Sequence, residues 1–231
     1  MNNYQDTFER VEHKYLLTKQ QAEQFYLLIE DMIKPDIFPK YSLYNIYYDS
    51  DNYDMISKSI EKPMYKEKLR LRSYGPIQKD GYMYLEMKKK YQGIVYKRRI
   101  QIDCSDPKVD TSQIGQELVH MQKFYDASQK VFIAYDREAY SGIEESDVRI
   151  TFDTNIRYRF DHLNLKDDDH DRHLLNDDQV LLEIKVMNRY PLWLTHALST
   201  LHLTRTSFSK YGTIYSTLLK ERGTLHVWFN I

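Results

Sequence analysis

Polar and apolar residues alternate with a period of two along much of this chain. Three consecutive runs, residues 66–74, 82–91 and 94–103, show the alternation and are separated by turn residues such as Gly75-Pro76 and Gly81. Because successive side chains of a strand point to opposite faces, the three runs predict a β-meander. The same criterion predicts further strands at residues 10–16, 44–49, 130–140, 149–153 and 180–186.

Apolar residues at a spacing of three and four positions predict helices between these strands. Thr18 and Gln21 have the spacing of a capping box, and Ala22, Phe25 and Ile29 follow on one helical face. Further helices are predicted at residues 50–61 and 111–125, from Pro191 onward, and at 207–219. Strands and helices together predict an α+β fold, in which each helix needs a sheet surface to cover its apolar side.

Charged side chains recur at every second position of several predicted strands. Lys68, Arg70 and Arg72 alternate with leucines, and Glu86 and Lys88 alternate with Leu85 and Met87. Similar pairs are Lys97 with Arg99 and Glu183 with Lys185. The simplest interpretation is an ordinary antiparallel sheet whose polar face meets water.

Two features favour an enclosed charged face instead. The stripes are rich in Lys and Arg, whereas exposed strands mix in Ser, Thr and Gln, and the helices need the apolar face for themselves. We therefore predict an antiparallel β-barrel of about eight strands, with helices on the outside and a charged tunnel inside. Buried cations need neutralisation, which a phosphate chain supplies, and glutamates among them could hold Mg²⁺ or Mn²⁺.

Composition narrows the choice of partner and compartment. Lys and Arg number 33 and Asp and Glu number 34, so net charge does not point to nucleic acid or a membrane surface. Cys104 is the single cysteine, which excludes an intramolecular disulfide. No window has the length and apolarity of a membrane span. We expect a cytoplasmic protein with one domain over residues 1–231.

Residues 161–178 are acidic, poor in apolar side chains and contain His162, His170 and His173. The spacing of these histidines matches no zinc motif, so the segment is predicted to be a mobile loop rather than a metal site. Arg157 and Arg159 just before it share a strand face and are predicted to face solvent.

Several motifs, in order along the chain, resemble those of the triphosphate tunnel metalloenzymes, and within them the VTC domain. This domain is the polyphosphate polymerase of the vacuolar transporter chaperone complex. The opening strand has Arg10 where the hydrolytic CYTH branch typically carries Glu. The matching segments are residues 10–15, 47–49, 68–75, 85–88, 96–99, 135–140, 148–153, 182–185 and 208–212.

The resemblance implies an ATP-dependent polyphosphate polymerase that transfers the γ-phosphate of ATP to a growing chain. Its tunnel ligands for triphosphate or polyphosphate carry over to Lys14, Arg70, Arg72, Lys88, Lys97, Arg137, Arg149 and Lys210. Glu183 matches the metal-holding glutamate, with Mn²⁺ or Mg²⁺ as cofactor. Arg10, Glu12, Glu86, Arg99 and Lys185 are expected to line the same tunnel. Ser207 departs from the family, which often has Lys there.

Other functions remain open from the sequence. The same tunnel could hydrolyse triphosphate or nucleoside triphosphates, although Arg10 argues against this, or it could bind polyphosphate without catalysis, which Ser207 favours slightly. Nucleic-acid binding ranks last, because aliphatic rather than aromatic residues alternate with most of the charges. The chain offers no membrane segment of its own, so any membrane association would need a partner protein.

Overall fold

A computed structural model describes residues 7–8, 11–61, 64–92, 94–167, 170–187 and 189–228. These residues form one ten-stranded sheet with helices packed against it. The strands are β1 Thr7–Phe8, β2 Val11–Thr18, β3 Ile33–Asp49, β4 Tyr65–Tyr74, β5 Tyr82–Tyr91, β6 Ile94–Asp103, β7 Ser128–Gly142, β8 Arg149–Arg159, β9 Arg172–His173 and β10 Gln179–Val186. The helices are α1 Lys19–Ile29, α2 Asp54–Ile60, α3 Gln113–Phe124, α4 Leu192–Thr200 and α5 Lys210–Trp228.

The strand order is β1-β6-β5-β4-β3-β7-β8-β10-β2, and β9 pairs with β8 outside this path. Every ladder is antiparallel, which confirms the predicted α+β class and the β4-β5-β6 meander. The predicted capping box is also confirmed, since Thr18 and Gln21 exchange side-chain-to-backbone hydrogen bonds of 3.0 and 3.1 Å at the start of α1. Two strands are longer than predicted by six residues or more: β3 starts at Ile33 and β8 continues to Arg159.

The sheet curls strongly around one of its faces. Lys88 Nζ on β5 lies 3.8 Å from Glu12 Oε2 on β2, although these strands are six steps apart in the order. In a flat sheet six steps of about 4.8 Å would separate them by about 29 Å, far beyond the reach of a lysine. The ends of the order nevertheless do not pair with each other in the described part of the chain, so the predicted closed barrel is not confirmed.

The face on the inside of this curl, called the concave face below, carries the charged stripes. Strand register places Arg70 opposite Glu86, Glu86 opposite Arg99, and Glu183 opposite Lys14, all on the same side of the sheet. The alternate residues form the outer face. The predicted segregation of charged and apolar residues is therefore present, with the charges inside the curl.

The outer face is apolar and carries three of the helices. Leu118 and Met121 of α3 pack against a cluster from β4, β5 and β6 that includes Leu69, Met87 and Ile100. Helices α1 and α4 cover the outer face of β2, β8 and β10 in the same way. None of the helices in the described ranges is long and apolar enough to cross a bilayer.

Helix α5 differs from the expectation that helices pack on the outside. Its Tyr211, Ile214 and Tyr215 pack with Tyr47 and Tyr135, which lie on the concave face. Part of that face is thus an apolar floor for α5 and the remainder is charged. The prediction failed here because the alternation in β3 and β7 is apolar on both faces, so the sequence pattern does not tell inside from outside.

The acidic segment after β8 is held in place rather than left as a loop in solvent. Arg159, 1% exposed, donates hydrogen bonds of 3.1, 2.7 and 3.0 Å to the carbonyl oxygens of His162, Asn164 and Lys166, and its Nη1 lies 2.6 Å from Asp171 Oδ1. The prediction that Arg159 faces solvent was wrong. Four acceptors converge on one guanidinium, and only the fold brings them together.

We expect Arg159→Met to destabilise the protein by about 3–5 kcal/mol, because it leaves three carbonyls and one oxygen of the Asp171 carboxylate without their donor, while Arg157 still binds the other oxygen. Urea denaturation followed by circular dichroism measures this. The matched control is Arg172→Met, on β9 of the same segment, whose side chain is 61% exposed and which should cost at most about 0.5 kcal/mol. Equal losses in the two variants would contradict the role assigned to Arg159.

Candidate functional site

The first charged cluster of the concave face is centred on Glu86 of β5. Arg70 on the adjacent β4 places Nε at 2.8 Å and Nη2 at 2.7 Å from Glu86 Oε2, and Lys97 on β6 places Nζ at 2.9 Å from Oε1. Arg72 Nη1 lies 3.8 Å from Oε2. The antiparallel register produces this cluster, because it aligns the middle of three successive strands.

Glu86 is only 2% exposed yet remains ionised. Burial by itself raises its pKa, but Arg70, Arg72 and Lys97 outweigh burial and bring the pKa below its usual range. Asn45 on β3 supports the same cluster, since its Oδ1 accepts from Arg72 Nε at 2.8 Å while its Nδ2 donates to the Ile133 carbonyl at 3.0 Å. The guanidinium of Arg72 therefore has a defined orientation.

The second charged cluster is centred on Glu183 in the middle of β10. Lys14 Nζ of β2 lies 3.6 Å from Glu183 Oε2 and 3.4 Å from Glu12 Oε1, and Lys185 pairs with the other oxygen of Glu183. Burial raises the pKa of Glu183, but Lys185, Lys14 and Arg137 outweigh it and keep the pKa well below normal. Glu183 is therefore a permanent anion among lysines.

Asp153 of β8 links this sheet region to α5. Arg137 of β7 binds it in a bidentate manner, with Nε at 2.6 Å from Oδ1 and Nη2 at 2.8 Å from Oδ2. Lys210, the first residue of α5, places Nζ at 2.5 Å from Oδ2 and 4.1 Å from the centroid of the Tyr135 ring. The apolar packing of α5 on the concave face thus also places Lys210 beside Asp153, in the charged part of that face.

The two clusters face each other across the curl. Besides the Lys88–Glu12 pair, Lys68 of β4 donates to Ser209 Oγ at 3.3 Å, just before α5. Burial, the largest influence, lowers the pKa values of Lys68, Lys88 and Lys97, with that of Lys68 falling to about 8. Burial therefore penalises the protonated forms of these lysines, and an anion bound between them would stabilise those forms.

Tyr47 of β3 lies where the charged and apolar parts of the concave face meet. Its hydroxyl is 3.2 Å from Arg70 Nη1, and its ring packs on Tyr211 of α5 with centroids 5.0 Å apart. Burial raises the pKa of Tyr47, but the charges of Arg70, Lys68 and Arg72 more than compensate and lower it to about 7. It is a titratable group close to neutral pH inside the cationic array.

Most residues predicted for the site come together on the concave face. The two clusters, the Asp153 group and the contacts between them include Glu12, Lys14, Arg70, Arg72, Glu86, Lys88, Lys97, Arg137, Glu183, Lys185 and Lys210.

Three predicted residues stand apart from these clusters. Arg149 is opposite Lys185 in register, but its Nη2 pairs with Asp36 Oδ2 at 2.9 Å, at the position where β3 bulges away from β7. Arg99 is on the concave face of β6 and stacks on the Tyr84 ring at 4.8 Å. Arg10 lies outside the described residues.

Sequence reasoning did not assign Tyr47, Lys68, Asn45 and Asp153 to the site. The signal for Lys68 was available, since it belongs to the same stripe as Arg70 and Arg72. Asp153 is the last residue of the motif at residues 148–153, in which only Arg149 was predicted to belong to the site. Tyr47 and Asn45 lie among apolar residues of β3, where only the register with β4 identifies them as neighbours of Arg70 and Arg72.

The residues around Glu183 are compatible with a divalent metal. Mg²⁺ and Mn²⁺ sites in phosphate-handling proteins need only one or two carboxylates, with phosphate oxygens completing the coordination. Glu183 and Glu12 share Lys14, and the buried Thr151 hydroxyl opposite Glu183 has no hydrogen-bond partner among the described residues. No group of three metal-ligating side chains forms in the described ranges, so a metal here would depend on the phosphate.

The curled antiparallel sheet thus carries Lys, Arg and Glu on its concave face, three helices on its apolar outer face, and α5 against part of the concave face. The VTC domain model matches residues 9–219 of the sequence. The chain therefore belongs to the VTC domain family.

Several solved structures are similar to this chain. A candidate adenylate cyclase of Vibrio parahaemolyticus aligns with a TM-score of 0.48 at 13% identity, covering 89% of this chain and 97% of its own. A candidate adenylate cyclase of Bacillus halodurans aligns with a TM-score of 0.49 at 10% identity, and the alignment covers 88% of this chain and 95% of the cyclase chain. The PH1819 protein of Pyrococcus horikoshii aligns with a TM-score of 0.46 at 16% identity, and the alignment covers 93% of this chain and 99% of the PH1819 chain. A search among curated proteins returns no match.

The environment of Tyr47 predicts a pH-dependent spectral change. Absorbance at 295 nm between pH 5 and 9 should show one tyrosine ionising with a pKa of about 7, well below the ordinary value of about 10, and Tyr47→Phe should abolish this transition. Tripolyphosphate should raise the pH at the midpoint of the Tyr47 transition, because a bound anion would neutralise Arg70 and Lys68, whose charges lower the pKa of Tyr47. By linkage, tripolyphosphate affinity should fall as pH rises through 7. A midpoint that tripolyphosphate leaves unchanged would show that Tyr47 does not contact the anion site.

Proposed function

We propose that the protein is an ATP-dependent polyphosphate polymerase, which transfers the γ-phosphate of ATP to the end of a polyphosphate chain. The observation that carries the proposal is the under-neutralised cationic array of the concave face. Cations from both ends of the strand order meet across the curl, and they outnumber the carboxylates among them. Burial first, and neighbouring cations after it, lower the pKa values of Lys68, Lys88 and Lys97, so a bound anion would stabilise the protonated forms of these lysines.

A phosphate chain fits this array better than a nucleic acid does. Arginine forks such as those of Arg70 and Arg72 bind two phosphate oxygens at once, and lysines provide point charges that can follow a flexible chain. A single-strand binder would offer aromatic rings for base stacking. On the concave face, Tyr47 and Tyr135 are instead packed against α5.

The proposed reaction requires positioning and charge neutralisation more than covalent chemistry. A terminal oxygen of the acceptor chain attacks the γ-phosphorus, the bond from that phosphorus to the β,γ-bridging oxygen breaks, and ADP leaves with the electron pair of the broken bond. Arg70, Arg72, Lys88 and Lys97 on one side and Lys14 and Lys210 on the other would hold the triphosphate and the acceptor in line. Their charges would stabilise the charge on the transferring group.

The electrostatics of the carboxylates favour transfer to phosphate over transfer to water. An acceptor phosphate is already ionised and needs no base, whereas water benefits from one. Glu86, Asp153 and Glu183 all have lowered pKa values and are held by cations, so they are poor bases near neutral pH. Tyr47, with a pKa of about 7, is the observation that favours hydrolysis as the second candidate function.

Glu183, assisted by Glu12, would hold Mg²⁺ or Mn²⁺ together with phosphate oxygens. The metal would supply additional positive charge to the transferring phosphoryl group. Lys14 and Lys185 now pair with Glu183, and a bound phosphate chain would offer these lysines alternative anionic partners. Ser207 is exposed just before α5, and Lys68 of β4 reaches Ser209 two residues further on. A lysine from another strand therefore stands beside the segment in which Ser207 departs from the family.

Incubation with ATP and Mn²⁺ tests the activity. We expect long polyphosphate chains on a stained gel together with stoichiometric ADP. Lys88→Ala should reduce kcat/KM for ATP at least about tenfold, because a hydrogen bond between charged groups, such as a lysine–phosphate contact, is worth about 1.5–3 kcal/mol. The control is the neighbouring variant Lys89→Ala, which removes a lysine of the outer face that pairs with Glu67. It should change kcat/KM for ATP less than about twofold. Free phosphate without chains would instead establish hydrolysis.

A pair of glutamate variants tests the metal assignment. Glu183→Gln should raise the Mn²⁺ concentration needed for half-maximal activity at least about tenfold, since it removes a ligand charge. Glu86→Gln should alter KM or kcat without changing the Mn²⁺ requirement, because Glu86 positions Arg70 and Lys97. If both variants shift the Mn²⁺ requirement equally, Glu183 does not hold the metal.

A further inference from the structure

A cavity of about 750 Å³ lies on the outer side of β2, away from the concave face. Val11, His13 and Tyr15 line it, and these residues alternate with Glu12 and Lys14, which face the opposite way. The other walls are α4 and residues 202–205, which follow it. The cavity is thus separated from the charged array by the thickness of the sheet, and its volume is typical of small-molecule sites.

The rim of the cavity is positively charged. The exposed residues Arg189, Arg205 and His202 line it, and none of the residues lining the cavity is acidic. Within the described part of the chain, neither Arg189 nor Arg205 has a carboxylate within 4.0 Å. Burial is the largest cause that lowers the pKa of His13 below its ordinary value, and the positive charge of Arg205 lowers it further. A cationic rim without counter-charges favours an anionic ligand.

The floor of the cavity is aromatic and apolar. Tyr190 places its hydroxyl 2.7 Å from His13 Nδ1, and the two rings meet edge to face with centroids 5.4 Å apart. The Arg205 guanidinium carbon is 5.9 Å from the Tyr190 ring centroid. Leu198 and Leu203 complete the apolar part. A ligand that satisfies both regions has a flat ring at one end and an anionic group at the other.

Backbone hydrogen bonds pre-form the wall made by residues 202–205. His202 has a φ of +50°, which turns the chain back after α4, and the N–H groups of His202 and Leu203 donate to the carbonyls of Ser199 and Leu198 at 3.0 and 2.9 Å. Thr206 N–H then donates to the Lys14 carbonyl at 2.8 Å, which fastens the segment to the free edge of β2. Arg205 and His202 are therefore carried on a hydrogen-bonded backbone.

We propose that this cavity binds a small organic phosphate in which a flat ring is joined to a phosphate monoester, as in a nucleoside monophosphate. The ring would lie against Tyr190 and His13, and the phosphate would bind Arg189 and Arg205 at the rim. The site is independent of the triphosphate site on the concave face, and it stands whether or not the polymerase proposal is correct.

Isothermal titration calorimetry with AMP, in the presence of saturating tripolyphosphate to occupy the concave face, tests the proposal. We expect one AMP per chain. Arg189→Ala and Arg205→Ala should each weaken AMP binding at least about tenfold, because each removes a charge-assisted phosphate contact. Inorganic phosphate should bind at least about tenfold more weakly than AMP. Arg172→Ala, an exposed arginine on β9, is the control and should leave the affinity unchanged.

The outcomes separate the alternatives. Failure of AMP to bind, or unchanged affinity in the Arg189 and Arg205 variants, overturns the proposal. Equal affinity for inorganic phosphate shows that the ring is not recognised and overturns it as well. Competition between AMP and tripolyphosphate would place AMP on the concave face and likewise contradict a separate site. Both arginines are exposed, so circular dichroism should verify that the variants are folded.

Discussion

Repulsion between like charges governs the arrangement of the concave face. A curled sheet forces the lysines and arginines of β2, β4, β5, β6, β7 and β10 toward a common space. Glu86, Asp153 and Glu183 reduce the repulsion between these cations, because each carboxylate lies between several of them and stays ionised despite its burial. These carboxylates neutralise the array only in part, which leaves excess positive charge on this face.

Packing and electrostatics meet at the start of α5. Tyr211 and Ile214 pack the helix onto the concave face, and the same placement delivers Lys210 to Asp153. Tyr47 belongs to both regions, since its ring packs against Tyr211 while its hydroxyl contacts Arg70. A change in the apolar floor would therefore move a charged group, and binding of an anion would change the protonation of a packed tyrosine.

Much of this organisation was predictable from short-range patterns. The meander β4-β5-β6, the capping box at Thr18 and the charged stripe of Arg70 and Arg72 follow from a period of two or a spacing of three residues. The partners of those charges were harder to predict. Arg159 was expected in solvent but is buried, because its acceptors come from carbonyls whose positions depend on the path of the following segment. Arg149 belongs to a family motif, yet Asp36 from a bulge in β3 pairs with it.

Short-range patterns encode most of the strands, the alternation of charge with apolar residues and the family to which the chain belongs, because each depends on residues close together along the chain. The assembled sheet sets which face is concave, which cations share a carboxylate and on which side α5 packs. Those depend on register and curl, which bring Lys88 to Glu12 and Lys210 to Asp153 across long stretches of sequence. The excess positive charge of the concave face is a property of that assembly, because overall the chain is nearly neutral.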